Sequence, residues 1–149
     1  MPVNPVIQGR SYPPTAPYLV GREKLREFAR AVQAESAICL DVDAARAAGY
    51  ADLVAAPTFP IVLQEFTLPQ LLGDPDAGVD FSRVVHGDQR FSYSRPIVAG
   101  DELTAVMTVT SVKSLAGNDM VTAESDIRDA SGTHVVTATS SLVLRGDDA

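Results

Sequence analysis

Cys39 is the only cysteine of this 149-residue chain, and His86 and His134 are its only histidines, so acid, base or nucleophile chemistry has few places to sit. A thiol becomes a useful nucleophile when a neighbouring base or positive charge lowers its pKa. No histidine lies near Cys39 in the sequence, so a small buried apolar filler is the simpler reading. Glu35 and Asp41 flank it and are the nearest carboxylates. The other gathering of polar groups is Val85-His86-Gly87-Asp88-Gln89, set within an apolar stretch. There His86 suits either a hydrogen-bonded structural role or proton transfer. Gly87 would let a ligand or a partner's helix come close to the backbone, and Gln89 could orient a ligand or water. His134 follows Ser131-Gly132 and is expected to face solvent at a turn. Thr58-Phe59-Pro60 opens a long apolar segment; amide donors at such a helix start carry partial positive charge and polarise a carbonyl oxygen, unless the segment merely begins a core helix.

These residues need a scaffold, and the composition suits one domain, residues 1–149, with 46% apolar content. Residues 1–16 are expected to form a proline-rich segment, and residues 146–149 a small charged tail, both extended or frayed. Twelve Lys and Arg against 19 Asp and Glu give a net charge of -7 with no basic cluster, which argues against nucleic acid as a partner. No apolar run reaches the ~18 residues of a membrane span and no secretory leader is visible, so a cytoplasmic location is expected. One cysteine excludes an internal disulfide and, with two distant histidines, makes a poor metal set. No metal and no other cofactor is expected.

Periodicity supplies the elements. Leu25, Phe28, Ala29 and Val32 share one face of a predicted helix over Gly21 to Gln33, and Val42 to Ala48 forms a short second helix closed by Gly49. Thr58 to Leu72 is apolar nearly all round, as in a helix buried by a wrapping sheet, with Thr58 as cap and Pro69 kinking or ending it near Leu68. Four strand-like stretches follow, Arg83 to Tyr93, Glu102 to Ser114, Met120 to Asp129 and Val135 to Arg145, separated by turn residues. The class is α+β with an antiparallel meander.

Residues 34–60, AESAICLDVDAARAAGYADLVAAPTFP, resemble the active-site segment of the MaoC-like (R)-specific hydratases and dehydratases. That resemblance places Ala34 where the family has its catalytic Asp, Ser36-Ala37 where it has Asn-Pro, and Cys39 where it has its catalytic His. GREKLREFARAVQAESA and RPIVAGDEL, residues 95–103, are similar to the non-catalytic subunit of the actinobacterial (3R)-hydroxyacyl-carrier-protein dehydratases. His86 to Gln89 resembles a His-Gly-Glu-Gln pattern of the same branch, with Asp88 in place of Glu. The resemblance implies a single hot-dog fold, an antiparallel sheet wrapped around a central apolar helix, with an added strand near Tyr18 to Val20. It implies an acyl-CoA or acyl-carrier-protein thioester as substrate, held by Thr58, Phe59, Pro60, Gly87 and Gln89. Its acyl tunnel would be lined by Phe59, Ile61, Val62, Phe66 and Phe91. With Ala34 and Cys39 unable to move protons, the chain would be a substrate-holding subunit in a dimer with a homologue that keeps the motif. Two alternatives remain at this point: a self-sufficient homodimeric dehydratase or thioesterase using His86, and a lipid- or small-ligand-binding module without catalysis.

Overall fold

The computed structural model describes residues 3–146. Its order is β1 (Tyr18–Leu19), α1 (Arg22–Ala31), α2 (Val42–Ala47), α3 (Ile61–Leu72), β2 (Val84–Tyr93), β3 (Glu102–Leu115), β4 (Asn118–Asp129) and β5 (His134–Leu144). The strands form one antiparallel sheet in the order β1-β3-β4-β5-β2, and α3 packs against it. This is the hot-dog arrangement. β3, β4 and β5 pair in sequence order through two hairpins, while β2 pairs with β5, so β2 is an edge with only one neighbour.

Local chemistry explains the ends of the helices. α1 stops at Ala31 because Gln33 takes a left-handed φ of 57°, letting the Gln33 amide reach the Arg30 carbonyl (3.2 Å) and the Ala34 amide reach that of Ala29 (2.8 Å). Val32 is thereby left 45% exposed instead of joining the apolar face. α2 is capped by the Asp41 carboxylate, which accepts from the Ala44 amide at 2.7 Å, and Gly49 follows it at φ 96° as anticipated. α3 departs from expectation twice. Thr58 does not cap it; the segment before it is a turn, and Pro60 is the last residue outside. Pro69 does not end it either, and the helix runs on to Leu72. Pro69 and Glu65 are both exposed, so the carbonyl that loses its amide partner at Pro69 faces solvent.

From Val3 the proline-rich start runs extended and is held to the sheet. The Gly9 amide donates to the Val109 carbonyl (2.7 Å), Tyr12 to Met107 (2.8 Å) and Thr15 to Ala105 (3.0 Å). The segment thus continues β1 along the outer side of β3, with Val3, Ile7 and Tyr12 buried and a 3-10 turn at Pro5–Ile7. Of the tail at 146–149 only Gly146 lies within the described residues; its amide donates to Asn118 Oδ1 at 3.1 Å.

Arg95 shows what the RPIVAGD segment does. Its guanidinium donates to both Asp101 oxygens (2.8 and 3.0 Å) and to Asp129 Oδ2 (3.1 Å), tying the entry to β3 to the end of β4. The motif is structural here.

Candidate active site: a cavity under the central helix

α3 divides the interior into two apolar clusters. Phe59 and Leu63 pack with Leu103, Ala105, Ile127 and Ala138 in one. Leu71 packs with Met107, Val109, Val121, Ala123 and Leu142 in the other. Between them lies a belt of polar side chains: Gln64 and Thr67 on α3, Ser125 on β4, Ser140 on β5 and Gln89 on β2. All but Gln89 are buried, and Gln89 is half-buried.

The belt satisfies itself. Gln64 Nε2 donates to Ser140 Oγ (2.9 Å) and to the Ala138 carbonyl (3.3 Å). Gln89 Nε2 donates to Gln64 Oε1 (2.7 Å), and Ser140 Oγ donates to Gln89 Oε1 (2.5 Å). The His86 ring completes the chain with Nε2 3.1 Å from Gln89 Oε1. Because that oxygen only accepts, Nε2 carries the proton and Nδ1 is left as the basic nitrogen. Thr67 Oγ1 donates to the Gln64 carbonyl (3.0 Å), so Ser125 Oγ, 3.3 Å away, is the donor in their contact. Buried polar groups must be paired to be tolerated, and this closed ring meets that demand.

Beside the belt is a cavity of about 340 Å³. Glu65, Phe81 and His86, all exposed, form its mouth on the β2 side. Gln64, Thr67 and Ser140 line one flank, and Leu71, Met107, Ala123 and Leu142 form its buried apolar depth. It crosses the sheet beneath α3, from β2 past β5 and β4 to β3. Its shape and lining suit a flexible apolar chain whose polar end stays near the mouth.

The expected site residues fall into three groups. His86 and Ile61 line the cavity, and Gln89 stands behind the lining, bonded to His86, Gln64 and Ser140. Gly87 sits in a β-bulge between His86 and Asp88, where a Cβ would come 3.1 Å from Val143 Cγ2 and 3.3 Å from the Ser141 carbonyl oxygen. The space it vacates is filled by β5 rather than by a ligand. Thr58, Phe59 and Pro60 are not brought to the cavity lining. The Phe59 amide donates to the Ala56 carbonyl (2.9 Å) and proline has no amide hydrogen, so of the three only Thr58 offers a donor without an acceptor among the described residues. Phe59 is fully buried, edge-on to Phe28 at 5.3 Å, and Val62 and Phe91 belong to the same cluster. Phe66 is 46% exposed and packs on Tyr18 of β1, at the edge of the sheet. The expected tunnel therefore keeps only Ile61.

Ala34 closes α1 through its backbone, and Cys39 is buried in a 3-10 turn at Ala37–Cys39, where burial pushes its thiol pKa up. Glu35 is exposed and Asp41 is spent on capping. None of the four lines the cavity. His134 begins β5 instead of standing free in solvent: Nδ1 is 2.6 Å from Ser94 Oγ and Nε2 is 2.8 Å from Thr137 Oγ1. The sequence reading missed Gln64, Thr67, Ser125 and Ser140. Their signal was phase: each falls on the inward face of an otherwise apolar helix or strand.

Comparison with known proteins decides the family. The family described as FAS1-like, dehydratase domain region, matches residues 7–138. The chain belongs to that family. A UPF0336 protein of Leifsonia xyli subsp. xyli is 72% identical over 148 residues, 99% of either chain. Among solved structures, a chain of the C-terminally truncated HadBC (3R-hydroxyacyl-ACP dehydratase) complex from Mycobacterium tuberculosis superposes with a TM-score of 0.82 at 35% identity. The match covers 92% of this chain and 96% of that one. A MaoC-like dehydratase gives a TM-score of 0.83 at 34% identity, covering 95% of this chain and 43% of the other. The MaoC-like dehydratase resemblance and its hot-dog fold hold. Among the described residues no helix of this dehydratase-family chain is long and apolar enough to cross a membrane.

Proposed function

We propose that this chain is the substrate-holding, non-catalytic subunit of a (3R)-hydroxyacyl-thioester dehydratase of fatty-acid metabolism, paired with a homologue that keeps the catalytic Asp and His. One observation carries the reading: the cavity opens on the β2 edge of the sheet, where this long strand has no outer neighbour among the described residues. A second hot-dog subunit pairing along β2 would bring its own catalytic groups to that mouth. In the reaction a base removes the proton beside the thioester carbonyl and an acid protonates the departing 3-hydroxyl, releasing water and leaving the trans-2-enoyl thioester. Ala34 has no ionisable group, and Cys39 is buried with its thiol held protonated, so neither can do this work. The acyl tail would lie in the apolar depth, with His86 at the mouth nearest the thioester and Gln89 holding the His86 ring. The HadBC complex, itself named for two components, supports a mixed dimer.

A second reading has its own observation, because Glu65 and His86 both stand at the cavity mouth and form an acid–base pair by type. It makes the chain a self-sufficient homodimeric enzyme. The test is hydration of trans-2-enoyl-CoA by the purified chain, by the motif-bearing homologue, and by the two co-expressed. The subunit reading expects copurification, with activity in the mixed sample and at most a trace in this chain alone. Activity of the isolated chain that His86→Ala abolishes would establish the second reading instead.

A further inference from the structure

No residue of the N-terminal arm lines the cavity, but the arm packs behind the residues at its far end. Met107 and Ala123 form its depth on β3 and β4, and β3 is the last full strand on that side. Beyond β3 runs only the arm, bonded to Met107 and Val109 through the amides of Tyr12 and Gly9. Its buried side chains, Val3, Ile7 and Tyr12, belong to the same packed cluster as Leu71, Met107, Ala123 and Leu142, all four of which line the cavity. The arm therefore backs the blind end of the space.

The arm is also latched. Asp74, just past α3 and with its side chain only 7% exposed, accepts from the Tyr12 hydroxyl (2.7 Å) and from Arg10 Nη1 (2.6 Å). The Asn4 amide donates to the Ala77 carbonyl (3.0 Å), and the Val3 amide to Asp119 Oδ2 (2.8 Å). The latch joins the arm to the end of the same helix that roofs the cavity. Moving the arm would lengthen the cavity without touching its mouth.

We infer that the N-terminal arm, held by Arg10 and Tyr12 on Asp74, is the end wall that sets the longest acyl chain the cavity accepts. This rests on the reading of the cavity as an acyl-holding site. The mouth residues Glu65, Phe81 and His86 then govern the thioester end, and Ile7 with its latch governs chain length. The two ends are set by different segments of the chain.

The experiment measures binding of hexanoyl-, decanoyl- and hexadecanoyl-CoA to the full-length chain, in the assembly in which it purifies, and to its Ile7→Ala and Asp74→Asn variants. The unaltered chain should bind with an affinity that rises with length and then falls. Ile7→Ala and Asp74→Asn should tighten binding beyond that limit by about tenfold, the effect of admitting roughly two more methylenes into an apolar space, and leave hexanoyl-CoA within about twofold. Should Ile7→Ala fail to fold, Asp74→Asn decides, since it keeps the side-chain shape and removes only the charge. A length limit that stays put in the folded variants overturns the end wall alone. An unaltered chain that binds none of the three thioesters overturns the acyl-holding reading beneath it.

Discussion

At the scale of single residues, the side chains standing in the catalytic positions of the resemblance have structural work of another kind. Ala34 serves through its backbone, as the amide that closes α1, and its methyl group asks for nothing. Cys39 is 4% exposed and burial raises its thiol pKa, so it lacks both access and the thiolate form. At pH 8 a disulfide-exchange reagent should label the native protein at least about 10²-fold more slowly than the urea-unfolded chain, because labelling must wait for local opening. Native labelling as fast as unfolded would show that the thiol is accessible. The polar side chains beside the cavity were harder to see. His86 and Gln89 stand three residues apart and read as a pair, but Gln64 meets Ser140 across 76 residues, and only the folded sheet puts them side by side.

At the scale of elements, most of the fold was legible because each strand and helix carries its own periodicity. The five strands fall within two residues of their expected bounds. Two local rules were overruled by surroundings. Pro69 continues α3 because its side of the helix is wet, and Thr58 is too far out along a turn to cap it. The proline-rich arm could be read as extended or frayed because an unpaired segment and an edge strand have the same composition; what distinguishes them is the acceptor row on β3, far away in sequence. Gly87 marked the bulge in β2 correctly as an interruption, though its purpose is the close approach of β5. Gly87→Val should therefore destabilise the domain by about 1–3 kcal/mol in urea denaturation, as overpacking does, with the helix signal unchanged below the transition. An unaltered midpoint would mean that β5 has room the geometry denies.

At the scale of the whole molecule, charge pairing predicts how the fold responds to acid. Asp52, held first by Arg22 and then by the Leu53 amide, titrates at about 2 against an ordinary 3.8, and Asp129, held by Ser131 and Arg95, does the same. The native state thus binds fewer protons than the unfolded chain between about pH 4 and pH 2. Stability from these groups is complete above about pH 4 and is lost as the pH falls through about 2, so the urea midpoint should hold from pH 7 to 5 and decline steadily below 4. A flat profile down to pH 2 would remove these carboxylates from the balance. The sheet as a whole has unequal edges, since the arm covers β3 and nothing among the described residues covers β2. The belt of Gln64, Thr67, Ser125 and Ser140 adds a further division, because it separates the tightly filled cluster around Phe59 and Leu63 from the hollowed one around Leu71. Side chains on the hollow side therefore have room to change size that those around Phe59 and Leu63 lack, so a new occupant could be fitted there with the filled cluster left undisturbed.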